Sequence, residues 1–255
     1  MSKYAFITGA TSGIGLATAK ALAAGGYDLA LAARNEGKLS SVKADIEKEF
    51  SVKVTPYVLD VREPEEIRKT VAACLAAFGA PDVLVNDAGL ARGLEPYAET
   101  KEEDILQMID TNIKGLFLVT RAFLPSMLER NSGHIVNLGS TAGQYACADA
   151  AVYCSTKAAV KTFSDGIRID VIDSDIKVTT IQPGIVHTPF SEVRFHGDKK
   201  RAEAVYEGVD ALHAEDIADI IAFAVSRPKR VQISDIVIMA NQQATGFMVS
   251  KKKKQ

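Results

Sequence analysis

The 255-residue sequence is poor in cysteine: Cys74, Cys147 and Cys154 are odd in number, widely spaced and without a Cys-x-x-Cys pair. That excludes a disulfide framework and a zinc site, so no metal is expected, and a reducing cytoplasm is the compartment that fits. No apolar stretch approaches membrane-spanning length, and Met1-Ser2-Lys3 leads straight into the first strand without the pattern of a cleaved leader. Neither sign of charge dominates. The 30 Lys and Arg are interspersed with 32 Asp and Glu for a net charge of -2, which gives no basic field for nucleic acid or a membrane surface. The one basic run, Lys251 to Lys254, reads as part of a solvated tail over about 250–255. Linkers rich in Pro, Gly or Ser, internal repeats and low-complexity blocks are all missing, so one domain over 1–255 is expected. What remains, 47% hydrophobic and 24% charged residues, is enough to bury a full core.

Short β-rich runs alternate with helical patterns throughout. The runs are Tyr4 to Thr8, Asp28 to Ala33, Val52 to Val58, Val83 to Asn86, His134 to Leu138, Val178 to Ile181 and Ile236 to Ala240. They are nearly all apolar rather than alternating, as strands are when helices cover both faces of a parallel sheet. The helical patterns are Ile14 to Ala24, Glu36 to Phe50, Pro64 to Phe78, Ile105 to Arg130, Ala150 to Ser174 and Ala214 to Ser226. Right-handed crossovers then predict an α/β doubly wound (Rossmann) fold with seven parallel strands. Ile185 to Tyr206 carries Pro189, Gly197 and many charges without periodicity, and reads as a mobile lid over the open end of the sheet.

Thr8-Gly9-Ala10-Thr11-Ser12-Gly13-Ile14-Gly15 follows the first strand and opens a helix, where backbone N–H groups and the helix dipole attract a pyrophosphate. Its spacing departs from Gly-x-Gly-x-x-Gly, and an ordinary tight turn between strand and helix would use the same residues. The second strand ends Ala33-Arg34-Asn35 with no carboxylate for ribose hydroxyls, so Arg34 is placed to meet a 2′-phosphate and NADP is preferred over NAD. Asp60, followed by Val61, is a candidate for the adenine amino group or for a loop tie. Asn86-Asp87-Ala88-Gly89 ends the fourth strand beside the nucleotide, with Gly89 allowing close approach.

Ser140 ends the fifth strand, and Tyr153 and Lys157 lie one turn apart at the start of the next helix. A tyrosine and a lysine four residues apart usually form a solvated helix flank. Their convergence with Ser140 and a nucleotide turn points instead to carbonyl reduction or alcohol oxidation. Tyr153 is the expected proton donor, Ser140 the group that steadies the developing oxyanion, and Lys157 the cation that lowers the phenol's pKa and holds the nicotinamide ribose. Asn112 is expected to position a water that refills the proton.

These residues resemble the short-chain dehydrogenase/reductase family over essentially the whole chain. By that resemblance the cofactor turn falls on Gly9, Gly13 and Gly15 with Thr11, Ser12 and Ile14 among them, and the catalytic tetrad on Asn112, Ser140, Tyr153 and Lys157. Further cofactor contacts fall on Val61, Asn86, Ala88, Gly89, Pro183, Gly184, Val186 and Thr188, with Thr188 bonding the carboxamide. The family's Asn-Asn-Ala-Gly reads Asn86-Asp87-Ala88-Gly89 here. A carboxylate ionised and unpaired at that point would weaken cofactor binding, and local backbone N–H groups are expected to compensate it.

Three segments narrow the resemblance to NADP-dependent 3-hydroxy acid dehydrogenases, which also oxidise serine and reduce malonic semialdehyde. They are Met108 to Gly115, Leu138 to Gly143 and Phe190 to Asp198. Such substrates carry a carboxylate, and Arg194 is the candidate to grip it with two bonds. His187 reads as a loop residue rather than an acid or base. The resemblance implies a homotetramer, or a homodimer, acting on a small carbonyl or alcohol. Two alternatives stay open: a reductase of neutral ketones, diketones or 3-ketoacyl thioesters, and a sensor that binds NADP without turnover.

Overall fold

The computed structural model describes residues 3–251. Seven parallel strands form one sheet in the order β3-β2-β1-β4-β5-β6-β7. They are β1 (Tyr4–Thr8), β2 (Asp28–Ala33), β3 (Val54–Val58), β4 (Val83–Asn86), β5 (Gly133–Leu138), β6 (Ile176–Pro183) and β7 (Asp235–Ile238). The helices between them are α1 (Gly13–Ala24), α2 (Glu36–Glu49), α3 (Pro64–Phe78), α4 (Glu102–Ile109), α5 (Leu116–Arg130), α6 (Ala151–Asp170), α7 (Phe190–Arg194), α8 (Lys199–Ala204) and α9 (Ala214–Val225). The expected doubly wound α/β fold is present.

Alternation along each buried strand feeds two cores. Ala5 and Ile7 of β1 pack with Leu22, Leu39, Ile46, Ile217 and Ile221 on one face of the sheet. Tyr4 and Phe6 pack with Ile67, Val71, Phe123 and Met127 on the other. The chain reverses its winding direction between β1 and β4, so the loops leaving these neighbours diverge and open a crevice at their carboxyl ends.

Element boundaries differ from the expected ones where pairing, not composition, decides them. β3 starts at Val54 rather than Val52, because the Val52 N–H turns back to the Phe50 carbonyl, and this edge strand tolerates Pro56. β6 extends to Ile176 and Pro183 because β5 and β7 flank it, whereas β7 at the other edge spans only Asp235–Ile238. The helix expected over Ala150 to Ser174 ends at Asp170.

The largest correction concerns Ile105 to Arg130, which is not one helix. α4 and α5 are joined by a π-helical turn, Asp110–Gly115, a local widening that leaves the hydrophobic pattern almost unchanged. The segment 185–206, read as irregular, contains α7 and α8. It is docked by hydrogen bonds from Arg92 to the Val193 carbonyl (2.6 Å) and from the Gly93 N–H to the Arg194 carbonyl (2.9 Å).

Phe6 and Phe123 are fully buried, with ring centroids 4.7 Å apart, and join α5 to the centre of the sheet. Phe123→Ala is expected to lower stability by about 3–5 kcal/mol through lost burial and an unfilled cavity. Urea unfolding of the variant beside the parent measures this, and a loss under about 1 kcal/mol would show that the site collapses around the gap.

Candidate active site

The glycine turn between β1 and α1 is shaped by what its residues lack. Gly9 and Gly13 have φ of +71° and +52°, the left-handed region that a side chain disfavours. A Cβ on Gly15 would lie 2.5 Å from Asp87 Oδ2 and 2.6 Å from the Gly9 carbonyl oxygen. The turn therefore packs directly on the end of β4. Thr8 completes the joint: its hydroxyl accepts the N–H groups of Asp87 (3.1 Å) and Ala88 (3.0 Å). Ser12 stands at the N-cap of α1 without a side-chain capping bond, so its hydroxyl is available to a ligand in the crevice. Together with Thr11 and Ile14 this is a cradle of small residues and backbone donors suited to a pyrophosphate.

Arg34 is exposed at the end of β2, and the next residue, Asn35, caps α2 through its side-chain oxygen and the Lys38 N–H. Asp60 is already engaged. Arg62 donates to both of its carboxylate oxygens, with Nε 3.0 Å from each. Burial alone would raise the Asp60 pKa, but the Arg62 bonds outweigh it and hold the carboxyl below its ordinary range. Val61 packs under the π-turn, where a Cβ on Gly115 would come within 2.8 Å of its carbonyl oxygen. The Asn86 side chain turns inward. It is buried and donates to Thr120 Oγ1 (2.9 Å) and Asn137 Oδ1 (2.8 Å), so only its main chain is left to meet a cofactor.

The four residues expected to do chemistry come together. Lys157 and Asn112 both reach Gly89, where a Cβ would lie 3.4 Å from Lys157 Nζ and 3.4 Å from Asn112 Oδ1. Ser140 forms a hydrogen bond with Tyr153, and its hydroxyl also accepts the Ala142 N–H (3.1 Å). Two expected roles are revised. Asn112 uses its amide to clamp Leu90, accepting that residue's N–H (2.9 Å) and donating to its carbonyl (2.8 Å), with Thr156 Oγ1 taking the other proton (3.1 Å). Its side chain fixes a loop rather than standing ready for a water.

The second revision concerns the phenol. Lys157 Nζ donates to the Leu138 carbonyl (2.7 Å) and lies 6.0 Å from the Tyr153 ring centroid. Burial has the largest influence on Tyr153 and raises its pKa, while the Arg194 charge and the Ser140 hydrogen bond pull it back without reversing it. Helical spacing put the ammonium on the right face, but the Leu138 carbonyl captures it.

Arg194, at the end of α7, covers the site. Its guanidinium carbon lies 5.2 Å from the Tyr153 ring centroid and 5.3 Å from that of Phe190, and its Nε is buried without a hydrogen-bond partner. Phe190 itself packs against Tyr153 with centroids 5.7 Å apart, a contact no sequence signal disclosed. Thr188 lies across the glycine turn, its Cβ 3.4 Å from where a Gly13 Cβ would be. Pro183 offers its carbonyl to the hydroxyls of Ser140 and Thr141 (both 3.4 Å). Gly184 leaves room for the Gln243 amide, whose oxygen accepts the Ile185 N–H (2.9 Å) and braces the approach to Val186. His187 keeps to its loop, edge-on to Tyr206.

The residues matched by the family model described as short chain dehydrogenase are 3–199. The chain belongs to the short-chain dehydrogenase family. It is 41% identical to a probable NADP-dependent dehydrogenase of Haemophilus influenzae, over 98% of each chain. It is 39% identical to an NADP-dependent 3-hydroxy acid dehydrogenase of Schizosaccharomyces pombe, over 98% of this chain and 97% of that one. The closed form of a serine dehydrogenase complexed with NADP+ superposes with a TM-score of 0.90 at 37% identity, covering 98% of this chain and 100% of the other.

Within this short-chain dehydrogenase, Asp87 has an unusual environment. Its carboxyl lies against Gly9 and Gly15, and burial, the largest influence, raises its pKa to about 7 against the opposing pull of Lys157 and a hydrogen bond from the Gly15 N–H. The expected backbone compensation is present but does not win. Burial likewise lowers Lys157 to about 8 against the pull of Asp87. A carboxyl whose folded pKa exceeds its unfolded value stabilises below the unfolded pKa, and that contribution is lost as pH rises through the folded one. Asp87→Asn is therefore expected to gain stability relative to the parent as pH rises from about 4 to 7. Urea unfolding across that window reads the difference, and a gap independent of pH would refute the assignment.

Proposed function

We propose that this chain is an NADP-dependent dehydrogenase of small 3-hydroxy acids, working reversibly on the corresponding carbonyl acids with Tyr153 as the acid and base. The observation that carries the substrate class is the Arg194 guanidinium, held over the Tyr153 ring with a buried Nε that lacks a partner. A buried unsatisfied cation is costly, and a carboxylate two bonds from the reacting carbon would satisfy it. The names and cofactor of the relatives support the same reading.

The cofactor fits the cradle. The glycine turn with Thr11, Ser12 and Ile14 would hold the pyrophosphate, Arg34 the 2′-phosphate, Lys157 the ribose hydroxyls, and Thr188 with Val186 the carboxamide. NADP, when bound, supplies the hydride chemistry. The chain's own residues do the rest. Arg194 fixes the acid, Ser140 holds the substrate oxygen, and Tyr153 removes that oxygen's proton in oxidation or returns it in reduction. Gly89 leaves space for Lys157 and the cofactor in one crevice. Segment 185–206 is the lid in this reading, opening from the contacts with Arg92 and Gly93 to admit substrate. We place the enzyme in the cytoplasm as a homotetramer or homodimer; its three free cysteines and the exposed Ile169 and Ile172 of the α6 region are in keeping with that.

An NADP-linked assay of L-serine, 3-hydroxypropionate and 3-hydroxyisobutyrate beside uncharged secondary alcohols tests the substrate class. Arg194→Ala should cut kcat/KM on the acids by about 30-fold or more and leave neutral alcohols nearly unchanged. Equal losses on both would remove the case for an acid. Tyr153→Phe should lower kcat by about 100-fold or more on every substrate. A parent protein as inert as that variant across the panel would exclude an enzyme.

A further inference from the structure

Tyr206 lies just beyond α8, and its phenol oxygen stands at a junction. It is 2.7 Å from Ser191 Oγ and 3.3 Å from the carbonyl oxygens of both Val186 and Thr188. A carbonyl only accepts, so the phenol proton points between the two carbonyls and the Ser191 hydroxyl donates to the phenol oxygen. Ser191 is buried, in the first turn of α7. The tyrosine ring is held edge-on against His187 with centroids 4.3 Å apart.

One hydroxyl thus ties together two pieces of chain with different tasks. Val186 and Thr188 form the stretch that leaves β6 and crosses the glycine turn. Ser191 belongs to the helix that ends in Arg194, above Tyr153. The Thr188 hydroxyl accepts the Phe190 N–H (3.3 Å), so the stretch and the helix are also joined at their boundary, leaving Tyr206 as the brace across their far sides.

We propose that Tyr206 is a positioning residue that sets Thr188 at the nicotinamide end of the cofactor in register with the helix carrying Arg194. The inference rests on the reading that this crevice binds NADP(H) with Thr188 at the carboxamide. The adenylate half, held by Arg34 and the glycine turn, has no contact with Tyr206 and does not depend on it. Loss of the phenol hydroxyl therefore weakens one end of the cofactor's grip and spares the other.

Tyr206→Phe keeps the ring and removes the hydroxyl. Calorimetric titration should find NADPH bound about three- to tenfold more weakly than by the parent, the size of one lost hydrogen bond, with the affinity for 2′,5′-ADP unchanged. Ser191→Ala, which deletes the partner hydroxyl, should act in the same direction and carries the test if the tyrosine variant does not fold. Equal weakening of both ligands would mean a general loosening and would overturn the proposal, as would two variants indistinguishable from a parent that binds NADPH. A parent that binds neither ligand would instead remove the cofactor reading, and this assignment with it.

Discussion

The site depends on the contact between the glycine turn and the end of β4. Gly9 and Gly15 lie so near Asp87 and Ala88 that no Cβ fits between them, and the Thr8 hydroxyl fastens the same point through two backbone N–H groups. Because β1 and β4 are neighbours whose following loops run in opposite directions, this contact forms the floor of the crevice. Everything placed on it, from the N-terminus of α1 to Gly89, inherits its position. A side chain at Gly15 would move the two loops apart and alter the cofactor cradle and the Lys157 environment together.

Closeness has an electrostatic consequence. The crevice that leaves no room for a methyl group leaves little for water, so the Asp87 carboxyl is pushed toward its neutral form and the Lys157 ammonium likewise. Each is the other's counter-charge. Hydrogen bonds from Gly15 to Asp87 and from Lys157 to the Leu138 carbonyl recover part of the hydration both have lost. The phenol of Tyr153 lies in the same dry environment but answers to a different cation, Arg194, which arrives from the lid. The acid and base of the proposed reaction and its substrate anchor are therefore electrostatically joined before any substrate is present.

Much of this was legible in the sequence, for reasons that differ from element to element. The strands were visible because a sheet covered on both faces must be apolar along its whole length. The functional residues were visible because glycine turns and strand ends are confined to few positions. What escaped has physical causes too. The π-turn at Asp110–Gly115 adds one residue's width without disturbing the apolar stripe on either side. Edge strands β3 and β7 lose the uniform burial that marks the inner ones. Asn86 and Asn112 were read as facing ligands, yet both spend their amides within the protein, because polar side chains at buried strand ends and turns must be satisfied there. The direction of a long side chain such as Lys157 cannot be read from its spacing, since a carbonyl several residues distant decides it.

The lid is where this short-chain dehydrogenase separates substrate choice from cofactor geometry. The cradle is built on β1, β2 and β4, whose positions are fixed by two cores, whereas Arg194 and Phe190 sit on a five-residue helix attached by a few hydrogen bonds. A helix so short has little stability of its own and takes its place from its contacts. Substitutions in it can change which group faces Tyr153 without disturbing the sheet. The constraint on such change is the end of α7 nearest β6, where Ser191 and Thr188 are joined through Tyr206. Specificity is free to vary at Arg194, one helical turn away, and is held at Ser191.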